Sequence, residues 1–207
     1  MIVNLIAWTN YHNSDTQGCP EDIIEFAGRL CYGSKKADTP EDMGRFICTR
    51  IKQGHESIIE HASATFYIEG ISRVCLSQLT RHRLASYSVR SQRYCNTAED
   101  GMVFPLSTRL SEKDMTMLQK KFAGMYNTLV NDFKIPKEDA RYLLPMGWKT
   151  SLVMTANFRE WRHFIRMRCD KAAQWEIREL ALEILKQLYY IAPSVFEDLH
   201  EEFVGKE

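Results

Sequence analysis

Hydrophobic and polar positions along the chain alternate between two periods, and the changes of period mark out the elements. Residues 2–8, Ile2-Val3-Asn4-Leu5-Ile6-Ala7-Trp8, predict a strand. Pro20 at a first helical position, with Glu21-Asp22 facing the positive end of the helix dipole, predicts a helix over about 20–31. Thr39-Pro40-Glu41-Asp42 opens a second helix with the stripe Met43, Phe46, Ile47, Ile51, stopped by Gly54. Ala62 to Glu69 is β-rich. Ser72 caps a helix carrying Val74, Cys75, Leu76 and Leu79 towards Arg83, and residues 84–108 read as irregular. Ser111 caps a long helix to about 132, and Pro136 starts a short one ending near Pro145. Trp148 to Thr155 predicts a strand, Asn157 caps a helix to about 168, and an amphipathic helix fills 174–190. Ser194-Val195-Phe196-Glu197 reads as a capping box for a last helix. Helices dominate and several separate the strands, so the expectation is an α+β fold, helix-rich with a small mixed sheet.

Composition narrows the class. The 207 residues are 44% hydrophobic and 26% charged, the balance of a globular chain with a core. Nothing repeats and no Gly- or Ser-rich stretch divides the chain, so residues 1–207 are expected to form a single domain. Lys plus Arg equals Asp plus Glu at 27 each, which weighs against wrapping duplex nucleic acid by bulk electrostatics. No apolar run approaches the roughly 18–20 residues of a membrane span, so no membrane partner is expected. The first residues lack a basic segment and a small-residue cleavage site, and no leader is expected. Cysteines at 19, 31, 48, 75, 95 and 169 form no Cys-x-x-Cys pair. They read as reduced thiols, mostly small core residues, and the expected compartment is cytoplasmic.

Charge is neutral overall but not evenly placed. Of 15 arginines, five lie in 73–93 and four in 159–168, with no lysine in either window. No acidic residue stands between Glu69 and Glu99. Such local charge needs an external anion or a partner segment, and the guanidinium fork suits phosphate or planar carbonyl edges. The alternative is a solvated helix face with surface ion pairs. The sharpest wording is Arg81-His82-Arg83-x-x-Ser86-x-x-x-x-Ser91-x-Arg93, in which hydroxyls and loop amides accompany arginines, the components of a phosphate site.

On this motif the sequence resembles the flavin-dependent thymidylate synthases. Gly54-His55-Glu56-Ser57 with Glu60-His61, Gln78, Glu138-Asp139-Ala140-Arg141 with Leu144-Pro145, Asn157-Phe158-Arg159, His163, Arg168 and Ala173-Gln174-Trp175-Glu176 extend the likeness through most of the chain. It departs from the family at Ser88-Val89, where many members carry Asn-Glu, and at His163, where Asn is frequent.

The resemblance implies an α+β homotetramer with active sites shared between subunits around FAD. It implies reductive methylation of dUMP to dTMP, with methylenetetrahydrofolate and NADPH as co-substrates. By the same likeness Arg168 is catalytic, stabilising charge on the uracil edge while also holding substrate. The dUMP positions are Gln78, Leu79, Thr80 and Arg81, then Val89, Arg90, Ser91, Gln92 and Arg93, with Arg141 from the later segment. The FAD positions are Ser57, Arg81, His82, Arg83 and Val89, with Asn157, Phe158, Arg159 and His163. No metal site is implied.

Other readings of the same residues stand beside it. His55 and His61 can be satisfied histidines, and their six-residue spacing fits no common helical ligand pair. Ser91 is better read as a hydrogen-bond partner than as a nucleophile, because no base accompanies it in sequence. Asn157 can be a helix cap as well as a ligand. Trp161, Phe164 and Trp175 are most simply core. Two other functions remain open, an Arg-rich nucleic-acid-binding module and a non-catalytic nucleotide sensor.

Overall fold

In this computed structural model residues 1–13 and 16–205 are described. Strand β1 (Ile2–Trp8) leads into a short antiparallel pair, β2 (His12–Asn13) and β3 (Thr16–Gln17). Helices α1 (Pro20–Tyr32) and α2 (Pro40–Lys52), then a 3-10 turn at Glu56–His61, precede β4 (Ser63–Ser72) and α3 (Arg73–Leu79). Strand β5 (Ala85–Val89), helix α4 (Glu112–Asn131) and the short α5 (Lys137–Ala140) follow. The chain ends with β6 (Lys149–Asn157), α6 (Phe158–Arg168), α7 (Trp175–Ile191) and α8 (Pro193–Phe203). The sheet order is β1-β4-β6-β5.

The capping residues read from the sequence do the local work. Thr39, Ser72, Ser111 and Asn157 each accept a backbone N–H three residues on, at the starts of α2, α3, α4 and α6. Strict alternation puts Ala64, Phe66 and Ile68 of β4, and Leu152, Met154 and Ala156 of β6, on a buried face.

Contacts gather into two compact units, each discontinuous in sequence. The first comprises Met1–Ile2, Ile68–Arg81 and Ser88–Leu152. Its small core sets Tyr126 of α4 against Ala98 and Ala140, with Leu129, Val130 and Ile135 packed around them. Trp148 is fully buried and its indole N–H donates to the Thr97 carbonyl at 2.7 Å.

The second unit comprises Val3–Tyr67, His82–Tyr87 and Val153–Glu207. Helix α7 buries Ile177, Leu180, Ile184, Leu185 and Leu188 along one stripe. Helices α1 and α2 approach closely at Gly28, where a Cβ would lie 2.7 Å from the Phe46 ring. Trp161 of α6 is fully buried, donates to the Ala64 carbonyl at 3.1 Å, and meets Phe66 and Phe164 edge to face. The Arg162 guanidinium, also fully buried, forks onto Asp198 at 2.7 and 2.6 Å and donates to the Val195 carbonyl, tying α6 to α8.

Four sequence expectations are corrected. The segment 84–108 is not wholly irregular, because Ala85, Tyr87 and Val89 alternate with exposed Ser86 and Ser88 to make β5. Helix α3 stops at Leu79 rather than running towards Arg83, and His82 turns inward three residues later. Ser194 does not cap α8. That helix starts at Pro193, and Ser194 instead donates from its backbone N (2.7 Å) and its hydroxyl (2.9 Å) to Glu21 of α1. The sheet is antiparallel rather than mixed, since hydrophobic pattern fixes which face is buried but not strand direction.

Trp161→Ala should destabilise the protein by about 3–5 kcal/mol, the usual cost of emptying an aromatic core position. Urea unfolding checks this, and a loss below about 1 kcal/mol would contradict the packing described.

Candidate functional site

Most of the residues assigned to dUMP lie in the first unit, on α3, on the segment after β5, and at the end of α5. Leu79 is fully buried, so its side chain belongs to the core and only its backbone can face a ligand. Thr80 and Arg81 follow on the exposed surface, and Gln78 is half-buried. Val89 ends β5, and the Arg90 backbone N–H continues the pairing by donating to the Ser151 carbonyl at 2.9 Å. Gln92 is buried, whereas Arg93 is exposed.

Two predicted arginines from distant parts of the sequence meet at one residue. Arg93 Nε donates to the Glu138 carboxylate at 2.7 Å, and Arg141 Nε donates to the Glu138 main-chain carbonyl at 2.9 Å. The Ser91 hydroxyl accepts from the Arg93 backbone N–H at 3.2 Å, which shapes the turn presenting that guanidinium. Arg90 pairs with Asp100 at 3.3 Å, and Arg73 donates to the Arg90 carbonyl at 3.4 Å. Burial, then the nearby charge of Arg141, holds the Arg73 guanidinium below its ordinary pKa. Arg73, Arg90, Arg93 and Arg141 thus gather near three carboxylates, Asp100 and Glu138, with Glu69 near Asp100. The residual positive charge suits an anion. Arg73 was within the arginine window but was not singled out from the sequence, because nothing in the spacing brings it to Arg90 and Arg141.

The second unit holds Arg168 and all the flavin positions except Arg81 and Val89, which lie in the first unit. Ser57 is exposed on the 3-10 turn. The Asn157 side chain accepts from the Glu160 N–H at 2.9 Å and so is engaged as the cap of α6. Phe158 is fully buried against Phe196 and can offer a ligand only its backbone. Arg159 is exposed and pairs with Glu60 and, at 3.7 Å, with Glu56. Arg81 and Arg83 are exposed, and neither guanidinium has a carboxylate partner among the described residues. An exposed guanidinium with no carboxylate partner is the kind of donor that fits a flavin nucleotide's diphosphate.

His82, between these two arginines, is buried. Its Nε2 accepts from Arg168 Nε at 3.0 Å, and its Nδ1 lies 3.3 Å from Glu160 Oε1. His163 and Phe164 meet its ring edge-on at 5.8 and 5.0 Å. Glu160, His163, Phe164 and Arg168 share one stripe of α6, at the three- and four-residue steps that align side chains on a helix. Burial, then the charge of Arg168 and the proximity of His163, pushes the His82 pKa down from 6.5 to about 4. The ring is therefore neutral near pH 7, and its contact with Glu160 is not an ion pair there. Burial pushes the Glu160 carboxyl up. Among the described residues no group of His, Cys, Asp or Glu can hold a metal ion.

The His82 shift has a definite sign in stability. The unfolded chain takes up this proton near 6.5, and the folded chain not until about 4. Acidification across that window therefore favours unfolding, by up to about 1.4 kcal/mol per pH unit from this group, while above it the contribution is constant. Wild-type stability in urea should fall more steeply from pH 6.5 to pH 4 than that of His82→Asn. Parallel pH curves would contradict the neutral buried ring.

A family model described as thymidylate synthase complementing protein matches residues 14–194. A flavin-dependent thymidylate synthase of Geobacter sulfurreducens is 43% identical over 190 residues, covering 86% of this chain and 82% of the relative. One of Mycobacterium tuberculosis is 39% identical over 213 aligned positions, covering 93% of this chain and 83% of the relative. A solved structure of the Helicobacter pylori flavin-dependent thymidylate synthase, complexed with FAD and dUMP, aligns with a TM-score of 0.80 at 27% identity, covering 96% of this chain and 99% of that one. This chain belongs to the family of flavin-dependent thymidylate synthases.

Proposed function

We propose that this chain methylates dUMP reductively to dTMP, with methylenetetrahydrofolate as carbon donor and NADPH as reductant, and that FAD is its cofactor. The observation that carries the reading is the Arg168 guanidinium held by a neutral imidazole. A carboxylate in that place would cancel much of its charge. The imidazole acceptor fixes the orientation of a guanidinium, and a guanidinium so held can stabilise charge developing on a uracil edge.

Bound FAD supplies the hydride. The protein's share is to bind, orient and exclude water. Arg83 and Arg159, with Ser57 and backbone groups at Asn157 and Phe158, would hold the flavin nucleotide, with His163 and the His82 segment beside it. Arg81, Arg93 and Arg141 with Ser91 would hold dUMP, the Glu138 carboxylate on Arg93 marking where an anion is accepted.

Protein thiols have no part in this reading. Cys75 and Cys169 are buried, and burial pushes the Cys169 thiol up to about 12, so it is no thiolate at neutral pH.

The same reading takes residues 1–207 as one functional domain, in a cytoplasmic homotetramer with shared active sites. It is supported by the family match running through both compact units and by large apolar side chains left exposed beside the arginines, notably Leu84, Tyr94 and Tyr142. No described helix is long and apolar enough to cross a membrane. A nucleic-acid partner is not favoured, because the chain is neutral and its arginines are partly matched by its own carboxylates.

Arg168→Ala should remove about 3–4 kcal/mol of transition-state stabilisation, 10²–10³-fold in kcat, in a folded protein that keeps its flavin absorbance. Activity within a few-fold of wild type would sink the assignment. Arg93→Ala and Arg141→Ala should each weaken dUMP by about 1.5–3 kcal/mol in calorimetric titration, with the ratio of flavin to protein absorbance unchanged. Loss of flavin at intact dUMP affinity would reverse the two roles.

A further inference from the structure

We propose that Glu160 is a positioning residue for Arg168, acting through the imidazole of His82. The inference rests on the reading of Arg168 as the donor to the uracil edge, and it assigns work to a residue that the sequence did not single out.

Glu160 and Arg168 stand eight residues apart on α6, a rise of roughly 12 Å, and the His82 ring lies between them. A guanidinium can only donate, so the Arg168 contact at Nε2 requires a lone pair there. The neutral ring then carries its proton on Nδ1, which is 3.3 Å from the Glu160 carboxylate. The opposite tautomer would set an N–H against the Arg168 donor and leave Nδ1 without its proton beside a carboxylate. Glu160 thus selects the tautomer that can hold Arg168. Side-chain exposure of His82 and Glu160 is 2% and 5%, so water does not readily replace the acceptor.

The other groups around the ring do different work. His163 and Phe164 of α6 pack edge-on, and the Tyr87 hydroxyl of β5 donates to the His82 carbonyl at 2.9 Å. Burial, then the charge of Glu160, pushes Tyr87 up to about 12, so it stays neutral. Arg168 is the cation of the set, and Glu160 is the carboxyl group that faces Nδ1. The Asn157 cap accepting from the Glu160 N–H fixes the first turn of α6, from which the carboxylate projects.

The test compares flavin-loaded wild type, Glu160→Gln and Glu160→Ala. Steady-state kinetics are paired with ¹⁵N magnetic resonance of the His82 ring nitrogens. Glu160→Ala should lose about 10- to 100-fold in kcat, the scale of misplacing a reacting group by about an ångström, with the KM for dUMP changed less than about threefold. Glu160→Gln keeps an oxygen that can accept from Nδ1–H and should recover kcat to within a few-fold. The ring should be protonated at Nδ1 in wild type and Glu160→Gln, and should shift towards Nε2 in Glu160→Ala. Wild-type kcat in Glu160→Ala, an unchanged tautomer there, or a Gln variant as slow as the Ala variant would each overturn the proposal. Failure of wild type to form dTMP would count against the proposed function, and the tautomer measurement would still decide this inference.

Discussion

A buried imidazole that must remain uncharged is the constraint from which the candidate site follows. His82 sits between two arginines in sequence, and folding turns the middle residue inward and the outer two outward. That one choice of direction exposes the Arg81 and Arg83 guanidinium groups. It also places a neutral acceptor where Arg168 can reach it. Burying the ring is tolerable only because both of its nitrogens face complementary groups, a donor on one side and a carboxylate on the other. Helix α6 supplies both partners from one stripe, so the helix that builds the core with Trp161 and Phe164 also orients the charge.

Much of the fold was legible because its signals are local. The caps at Thr39, Ser72, Ser111 and Asn157 sit where the hydroxyl or amide side chains predicted them, since capping needs only a side chain and an N–H three residues on. The strand β5 was missed because its alternation is carried by Ala, Tyr and Val against two serines, too weak a contrast for a hydrophobic pattern. Ser194 misled for a related reason. Its spacing to Glu197 fits a local box, but Glu21, 173 residues away, offers a buried carboxylate. Such long-range competition leaves no trace in a local window.

Charge followed the same division. The clustering of arginine was visible, but the partners were not. In the second window the guanidinium groups are largely matched internally, Arg159 by Glu60, Arg162 by Asp198 and Arg166 by Glu56 at 3.1 Å. That window is thus mainly architectural, and Arg168 adds a contact to the His82 imidazole. In the first window Arg90 and Arg93 borrow Asp100 and Glu138 from later segments, while Arg81 has no carboxylate partner among the described residues. The residues that tune the site, Glu160 and Arg73, were illegible because their importance lies in what folding sets beside them.

The most direct test of the account is turnover by the purified chain loaded with FAD and given dUMP, methylenetetrahydrofolate and NADPH. The account predicts a yellow protein whose flavin absorbance is bleached by NADPH, and dTMP formed in step with NADPH oxidised, undiminished when thiols are blocked. A protein that binds flavin and dUMP but forms no dTMP, or one that forms it only through a free thiol, would contradict the account.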